Sequence, residues 1–576
     1  MISSVESPDR ESDVSAVGFR SLADLLADWA EQYGDQVAVS HVDYRDRPSG
    51  LRRSWTWRQL DERASAVAAR LDVRGRPVAV LASQTPHYLA AFLGVLRAGA
   101  IAVPLFPPSL PGHGDRLAAV LADCQPAVVL TTEADRDEVA AYTAESPWGP
   151  PEVIAVDTLE PAAVEPVRSD PDDVAYLQYT SGSTGTPRGV MITHGNVVIN
   201  ASQSNQAYGV LPGKSVTVGW LPLFHDLGLM LSIACPLVGR MRTVLLDPIA
   251  FIERPERWMR ALSDNPGAIT AAPSFAYAYA AARTPEDDRA LLRLDTVAVL
   301  IDGSEPIRPS TMRRFYETFE PCGLRRDIYS PSYGLAEATV AVATSRPGRA
   351  AVDVRVDRAE LGAGRVVPSD AEDAIPMVSC GQAMDQGTAV AIVDPVTREP
   401  MPDGRVGEIW ARGPNIGLGY WGRPEDTATT FENLLAGESD EKWLRTGDLG
   451  VRYDGELYIT GRIKDLIVVD GRNHYPQDIE HTAEYAHQAI RRRNVVAFAV
   501  DTDDGERAVV LAERARGRED ADAGAVADAI RAAVSARHGL ALHDVELVEP
   551  DSLQRTSSGK ITRSACRAQY LAKPRR

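Results

Sequence analysis

The stretch Tyr179-Thr-Ser-Gly-Ser-Thr-Gly-Thr-Pro-Arg-Gly189 gathers hydroxyls, three glycines and one cation into a single short run. Glycines let successive backbone N–H groups turn towards one point, and the side-chain hydroxyls add donors. Such a loop suits phosphate oxygens, with Arg188 supplying charge. Apolar runs at Val174–Leu177 and Val190–Thr193 flank it, which speaks against a flexible Ser/Gly linker. It is not a Walker loop, because GxxxxGK[ST] occurs nowhere in the chain. A second Gly-rich run, Gly417-Leu-Gly-Tyr-Trp-Gly422, matches GxGxxG literally. Bulky Tyr420 and Trp421 stand where a dinucleotide needs close backbone approach, so it reads as a decoy. Lys560, in the Ser/Gly loop Ser557–Lys560, is by itself an ordinary solvated lysine.

The elements that must position these groups have an α/β rhythm. Leu22–Gln32 and Gln59–Leu71 have the spacing of amphipathic helices, while Pro77–Leu81, Ala127–Thr131 and Val153–Val156 read as buried strands. Short apolar runs bounded by turn residues fit a parallel sheet covered on both faces. The pattern recurs at Ser215–Leu221, Thr243–Leu246, Ala268–Ala271 and Thr296–Ile301, so more than one sheet is expected. Residues 345–377 are polar with little helical pattern, Val378–Val393 is strand-like, and Gly404–Arg412 with Gly455–Ile459 reads as hairpin strands. Ala523–His538 is a helix with a stop at Gly539.

At 576 residues the chain holds three or four units of about 150 residues. Its net charge of −19 disfavours nucleic acid and anionic membrane surfaces. The best apolar candidate for a membrane span, 90–106, is broken by Arg97 and Pro104. The acidic, polar start Met1–Ser15 is unlike a signal peptide. Five scattered cysteines without a CxxC pair point to a reducing cytoplasm.

The motif YTSGSTGTPRGV resembles the phosphate loop of the adenylate-forming superfamily, and further motifs of that superfamily follow in order. They are Trp220-Leu-Pro-Leu-Phe-His-Asp-Leu-Gly-Leu229, Gly303-Ser-Glu-Pro306, Ser332-Tyr-Gly-Leu-Ala-Glu-Ala338, Arg445-Thr-Gly-Asp-Leu449, Gly461-Arg-Ile-Lys-Asp-Leu466 and Ser557-Ser-Gly-Lys560. The resemblance implies a large multi-subdomain N-terminal lobe with mixed and parallel sheets (1–461) and a small mobile α+β C-terminal lobe (462–576). It implies ATP as substrate, bound by Thr180, Ser181, Ser183, Thr184, Gly185, Arg188, Gly303, Ser304, Glu305, Ser332, Tyr333, Gly334, Asp448 and Arg462. Glu337 is then the Mg²⁺ ligand, His225 borders the acyl carboxylate, Lys560 is the catalytic lysine and Lys464 the hinge pivot. Taken alone, Tyr333 reads as core, Glu337 as a solvated carboxylate and His225 as a structural histidine. Arg188 stands where the superfamily more often has Lys, which keeps the charge but changes its geometry.

Within the superfamily, the polar insertion near 345–377, the segment Ala102-Val-Pro-Leu-Phe-Pro-Pro108 and the wording of 220–229 resemble fatty acyl-AMP ligases. That resemblance implies a fatty acid activated to acyl-AMP and passed to the phosphopantetheine of an acyl carrier protein, as in polyketide or lipopeptide assembly. There the insertion packs against the small lobe and hinders transfer to CoA. An acyl-CoA synthetase and a catalytically silent adenylate- or lipid-binding protein are the alternatives. The acyl pocket is expected from Leu227–Leu237 and Ala272–Ala282, where Ala276, Ala278 and Ala280 either leave room or pack a helix. The basic runs Arg491–Arg493 and Lys573–Arg576 are either solvated faces or a patch for an acidic carrier.

Overall fold

The computed structural model describes residues 18–110, 114–180, 187–469, 471–502, 505–555 and 561–573. Two large sheets dominate the N-terminal lobe. The first runs in the order Glu152–Ala155, Val128–Thr131, Pro77–Val80, Ile101–Pro104, Val174–Thr180 and Arg188–Thr193. All its pairings are parallel except the last, in which Val174–Thr180 and Arg188–Thr193 run antiparallel and Thr180 lies opposite Arg188. Pro77–Val80, Ile101–Pro104 and Val128–Thr131 are buried at every position, as strands covered on both faces must be.

The second sheet has nine strands. Tyr329–Gly334, Val299–Asp302, Ala268–Ala272, Val216–Gly219, Arg242–Leu246 and Val37–Asp43 form its parallel centre, with antiparallel strands at both edges. Helix His194–Ala207 leaves the first sheet directly from strand Arg188–Thr193. Thr193 caps it: the Asn196 N–H donates to Thr193 Oγ1 at 3.0 Å, and Asn196 Oδ1 accepts the Thr193 N–H at 3.0 Å. A four-stranded antiparallel sheet follows, ordered Ala389–Val393, Gly407–Arg412, Leu444–Tyr453 and Glu456–Arg462.

The small C-terminal domain has its own core, including Ile479, Val510, Ile530 and Val534. Strands Ile490–Thr502, Gly505–Arg514 and Leu542–Val548 make its sheet, against which helices Pro476–Glu484 and Ala523–His538 pack. Helix Ala523–His538 begins and ends where its sequence predicts, and Gly539 closes it at φ +60°. The polar segment forms a hairpin, Asp353–Val356 with Ile375–Val378, around the short helix Arg358–Gly362.

Two expectations are corrected. Val378–Val393 is not one strand but Gln382–Ala383 and Ala389–Val393, because Gly381, Gln386 and Gly387 turn the chain through positive φ. Gly407–Arg412 and Glu456–Arg462 do not pair with each other; both flank Leu444–Tyr453. Among the described residues no helix is long and apolar enough to cross a membrane. All five cysteines are buried free thiols.

Candidate active site

An apolar cavity lies on the face of the nine-stranded sheet walled by Ser204–Tyr208 and Asp226–Cys235. Leu227, Met230, Leu231 and Cys235 line it from one side, and Ile269, Ala271 and Ile301 from the sheet. Between Asp226–Leu229 and Cys235–Gly239 the backbone makes a wide π-helical turn, Met230–Ala234. Such turns reposition side chains where a regular helix would carry them past a site. The expected contribution from 227–237 is therefore present. That from 272–282 is not: Ala276 and Ala280 are fully buried, and Tyr277 between them packs on Phe315 with ring centroids 5.1 Å apart. The small residues there serve tight helix packing.

At one end the cavity meets polar groups from the turn after strand Val299–Asp302 and from strand Tyr329–Gly334. Gly303, Ser304, Ser332, Tyr333 and Gly334 all border it. The antiparallel register sets Asp448 opposite Arg462, and the Arg462 Nε–H donates to Asp448 Oδ1 at 2.9 Å. The Tyr333 hydroxyl donates to Asp448 Oδ2 at 2.8 Å. Burial, then the carboxylate beside it, raises the Tyr333 phenol well above its ordinary range, so it stays a donor. Ser332 Oγ lies 2.7 Å from Thr344 Oγ1 and 3.2 Å from Tyr208 Oη. Gly334 is required by close approach, since a Cβ there would sit 1.7 Å from the Val340 carbonyl oxygen. The turn after strand Val299–Asp302 passes through Ser304 at φ +70°, and a Glu305 carboxylate oxygen accepts the Phe275 N–H. Beneath it Asp302 is fully buried and accepts the Tyr329 hydroxyl; burial raises its carboxyl well above the usual range. Sequence reading missed Asp302 and Tyr329 because Asp302 ends a strand that read as core and Tyr329 precedes the motif that begins at Ser332.

Glu337 lies on the short turn Ala336–Ala338. The Tyr420 hydroxyl donates to Glu337 Oε1 at 2.8 Å, and the Gly417 N–H donates to the Glu337 carbonyl at 2.9 Å. Burial raises this carboxyl too, against the opposing effect of the Tyr420 hydrogen bond. The loop 417–422 is thus no dinucleotide fingerprint. It props Glu337 and the strand Arg188–Thr193, with the Trp421 N–H donating to the Gly189 carbonyl at 2.8 Å. Arg188 sits 5.3 Å from the Tyr420 ring centroid and 3.5 Å from Asp426 Oδ2. Tyr420 is a site residue that the GxGxxG reading hid. Among the described residues no group of three carboxylate, His or Cys side chains could hold a metal. One half-buried carboxylate propped by a neutral hydroxyl does suit a hard cation whose remaining ligands are phosphate and water oxygens.

Of the remaining sequence candidates, Thr180 ends its strand opposite Arg188. Ser181, Ser183, Thr184, Gly185 and Lys560 lie outside the described residues. His225 Nδ1 is 2.7 Å from Asp226 Oδ1. It stands outside the cavity wall, to which Asp226 and Leu227 belong. Lys464 is exposed on the turn Ile463–Asp465 that follows Arg462.

Polar contacts join the small domain to its surroundings. Arg308 Nη1 donates to Glu484 Oε2 at 2.9 Å, and Arg493 Nη2 donates to Thr311 Oγ1 at 2.8 Å. Arg358 of the insertion pairs with Asp478, and its Nη1 lies 3.2 Å from His538 Nδ1. Tyr475 joins Val356, Leu361 and Val366 of the insertion in one small core with Tyr458. The basic run is mostly committed elsewhere. Arg491 pairs with Glu513 at 2.8 Å and Asp551 at 2.6 Å, while Arg492 lies 3.7 Å over the Tyr485 ring. Lys573 pairs with Glu546, and 574–576 lie outside the described residues.

Residues 26–421 match the AMP-binding enzyme family, and 464–575 match the AMP domain of Disco-interacting protein 2-like proteins. The chain belongs to the AMP-binding enzyme family. Within it, the chain is 44% identical to the long-chain-fatty-acid–AMP ligase FadD32 of Mycolicibacterium smegmatis, over 94% of this chain and 93% of that protein. It is 43% identical to the 4-hydroxyphenylalkanoate adenylyltransferase of Mycobacterium tuberculosis, over 96% and 92%. A solved structure from a study of fatty acyl-adenylate ligases of E. coli and L. pneumophila superposes with a TM-score of 0.85 at 32% identity, covering 96% of this chain and 97% of that one.

Proposed function

We propose that the protein joins a fatty acid to AMP, using ATP and releasing pyrophosphate, and then passes the acyl group to the phosphopantetheine thiol of an acyl carrier protein. The observation that carries this reading is Asp448, held by Tyr333 and Arg462 at the polar end of an apolar cavity. A carboxylate in that setting suits the two ribose hydroxyls, and the cavity suits an alkyl chain whose carboxylate faces the nucleotide. The names of the relatives, FadD32 among them, point the same way.

An ionised acid needs no general base. Its carboxylate oxygen bonds the α-phosphorus as the bond from that phosphorus to the oxygen bridging towards the β-phosphate breaks, and pyrophosphate leaves. Repulsion between anions makes the barrier, so positioning and positive charge carry the catalysis. The donors of 180–185, Arg188 and Lys560 are assigned to the phosphates, Ser304 and Tyr333 to the base. A Mg²⁺ ion on Glu337 would neutralise phosphate charge. In the second step the thiol sulfur bonds the acyl carbon as its proton is released and AMP departs.

We place the lobe boundary at 461/462, with Lys464 as the pivot of a mobile small lobe. The contacts of Arg358 and Tyr475 support an insertion seated on that lobe, which favours a carrier protein over free CoA as acceptor. The setting is the cytoplasm. The test offers palmitate, ATP and Mg²⁺ with CoA and a holo carrier protein in parallel, and reads the products by mass spectrometry. Acyl-carrier without acyl-CoA is expected. Acyl-CoA formed equally fast would overturn the acceptor, and absence of pyrophosphate exchange with every acid would overturn the activation.

A further inference from the structure

The cavity is a diagonal passage across the sheet. It starts at Gly303 and Ser332–Gly334, after or near the carboxyl ends of their strands, then passes Ala271 and Ile301, Ile269 and Thr217. It ends at Met241, one residue before strand Arg242–Leu246, with Asn205 and Val210 over it. Strand order sets Tyr329–Gly334 four places from Arg242–Leu246. Four strand spacings amount to about 19 Å. At about 1.2 Å per bond of an extended chain, that takes on the order of 15 bonds.

The far end is rigidly knitted. The Asn205 side-chain N–H donates to the Cys235 carbonyl at 3.0 Å, and the Val210 N–H donates to the Asn205 carbonyl at 2.9 Å. The Met241 N–H donates to the Pro236 carbonyl at 2.8 Å, and the preceding Arg240, at φ +46°, lies 4.1 Å over the Tyr33 ring. Behind this wall, outside the cavity lining, is Gly239. A Cβ on Gly239 would meet Asn205 Nδ2 at 2.8 Å and Val210 Cγ1 at 3.0 Å. Its backbone is helical, so alanine is sterically allowed there except for those two side chains.

We infer that Gly239 is a specificity-determining residue: by letting Asn205 and Val210 lie back against it, it fixes the longest acyl chain the cavity accepts. A side chain at 239 drives both residues into the passage, and a larger side chain at 210 fills the same space from the other side. The inference rests on the fatty-acid reading above and adds to it a length limit and the residue that sets it.

The experiment measures pyrophosphate exchange with octanoate, palmitate and arachidate in the full-length protein and three variants. Gly239→Ala and Val210→Phe raise the KM for palmitate about 10-fold or more relative to that for octanoate, since space for a methylene is worth roughly 10–200-fold. Val210→Ala shifts the preference towards arachidate. Val210 is half-buried, so its variants test the same wall even where Gly239→Ala does not fold, and a wild-type palmitate KM in a folded Gly239→Ala overturns the inference. A wild-type length profile in Val210→Phe and Val210→Ala, with octanoate still activated, overturns the inference alone. Wild-type protein that activates none of the three acids overturns the fatty-acid reading and this inference with it.

Discussion

The apolar cavity and the contact between the small domain and the rest of the molecule are held in different ways. The cavity walls are mostly apolar, with Ala271, Leu231 and Met241 buried, and the polar end is fixed by hydrogen bonds between buried partners. The small domain is held by single ion pairs and hydrogen bonds, Arg308 to Glu484 and Arg493 to Thr311, by the cluster around Arg358, and by one small apolar core around Tyr475. Interdigitated apolar walls have one good arrangement, and disturbing them costs free energy at once. Polar contacts exchange for water with small net change. The difference is what the proposed mobile small lobe needs: one region that keeps its shape and one whose contacts can be exchanged between the two steps.

The comparison breaks most severely if the chemistry does not depend on a group delivered by the small domain. Lys560→Ala is expected to lower adenylation by on the order of 10³-fold, the scale of losing a preorganised charge-stabilising donor, with the folded state retained. Wild-type pyrophosphate exchange in that variant would remove Lys560 from the mechanism. On the fixed side, Asp448→Asn should raise the KM for ATP about 10–100-fold, as expected for hydrogen bonds to a charged group worth about 1.5–3 kcal/mol. An unchanged ATP KM would separate Asp448 from the nucleotide.

The two regions were not equally legible. Parallel strands such as Pro77–Val80 and Ala268–Ala272 announce themselves as short apolar runs, and Gly539 marks its helix end by residue type alone. Leu444–Tyr453 was hidden because the polar run Arg445-Thr-Gly-Asp448 interrupts any alternation, although the strand is central to its sheet. The partners of the site residues were hidden for another reason. Tyr420 is 83 positions from Glu337, and Tyr333 is 115 from Asp448. Residue type shows that a phenol or a carboxylate is available, but only strand order and register decide which of them meet. The insertion was visible as polar and helix-poor, yet its grip on the small domain joins Arg358 to His538, 180 residues on.

That grip sharpens the comparison. Arg358→Gln should let acyl-CoA appear as a product while adenylation stays as in wild type; absence of acyl-CoA would show that the insertion does not choose the acceptor. The same cluster predicts a pH effect. Arg358 donates to His538 Nδ1, so the ring is neutral, with its Nε2–H 2.7 Å from Thr482 Oγ1. Burial, then the Arg358 charge, lowers His538 from 6.5 to about 3. A histidine depressed in the folded state stabilises it fully above about pH 6.5 and progressively less as pH falls towards 3. Protection factors of the amides across 353–378, taken against the intrinsic slowing of exchange in acid, are therefore expected to fall on acidification within that window. If exchange there followed the large sheets instead, His538 would have no part in the contact.

The smallest expected effect tests the fixed region through Glu337. Burial raises its carboxyl, and the Tyr420 hydroxyl opposes that by donating to the ionised form. Removing the hydroxyl in Tyr420→Phe takes away a stabiliser of the anion, so Glu337 protonates at higher pH than before. The acid limb of the adenylation profile should move upwards, while the alkaline plateau changes little because the carboxylate is then ionised in both proteins. Raising Mg²⁺ should pull the limb back down, since a cation on Glu337 competes with the proton there. A limb that ignored both the substitution and Mg²⁺ would mean that Glu337 only props the loop 417–422, and the metal ligand would have to be sought elsewhere.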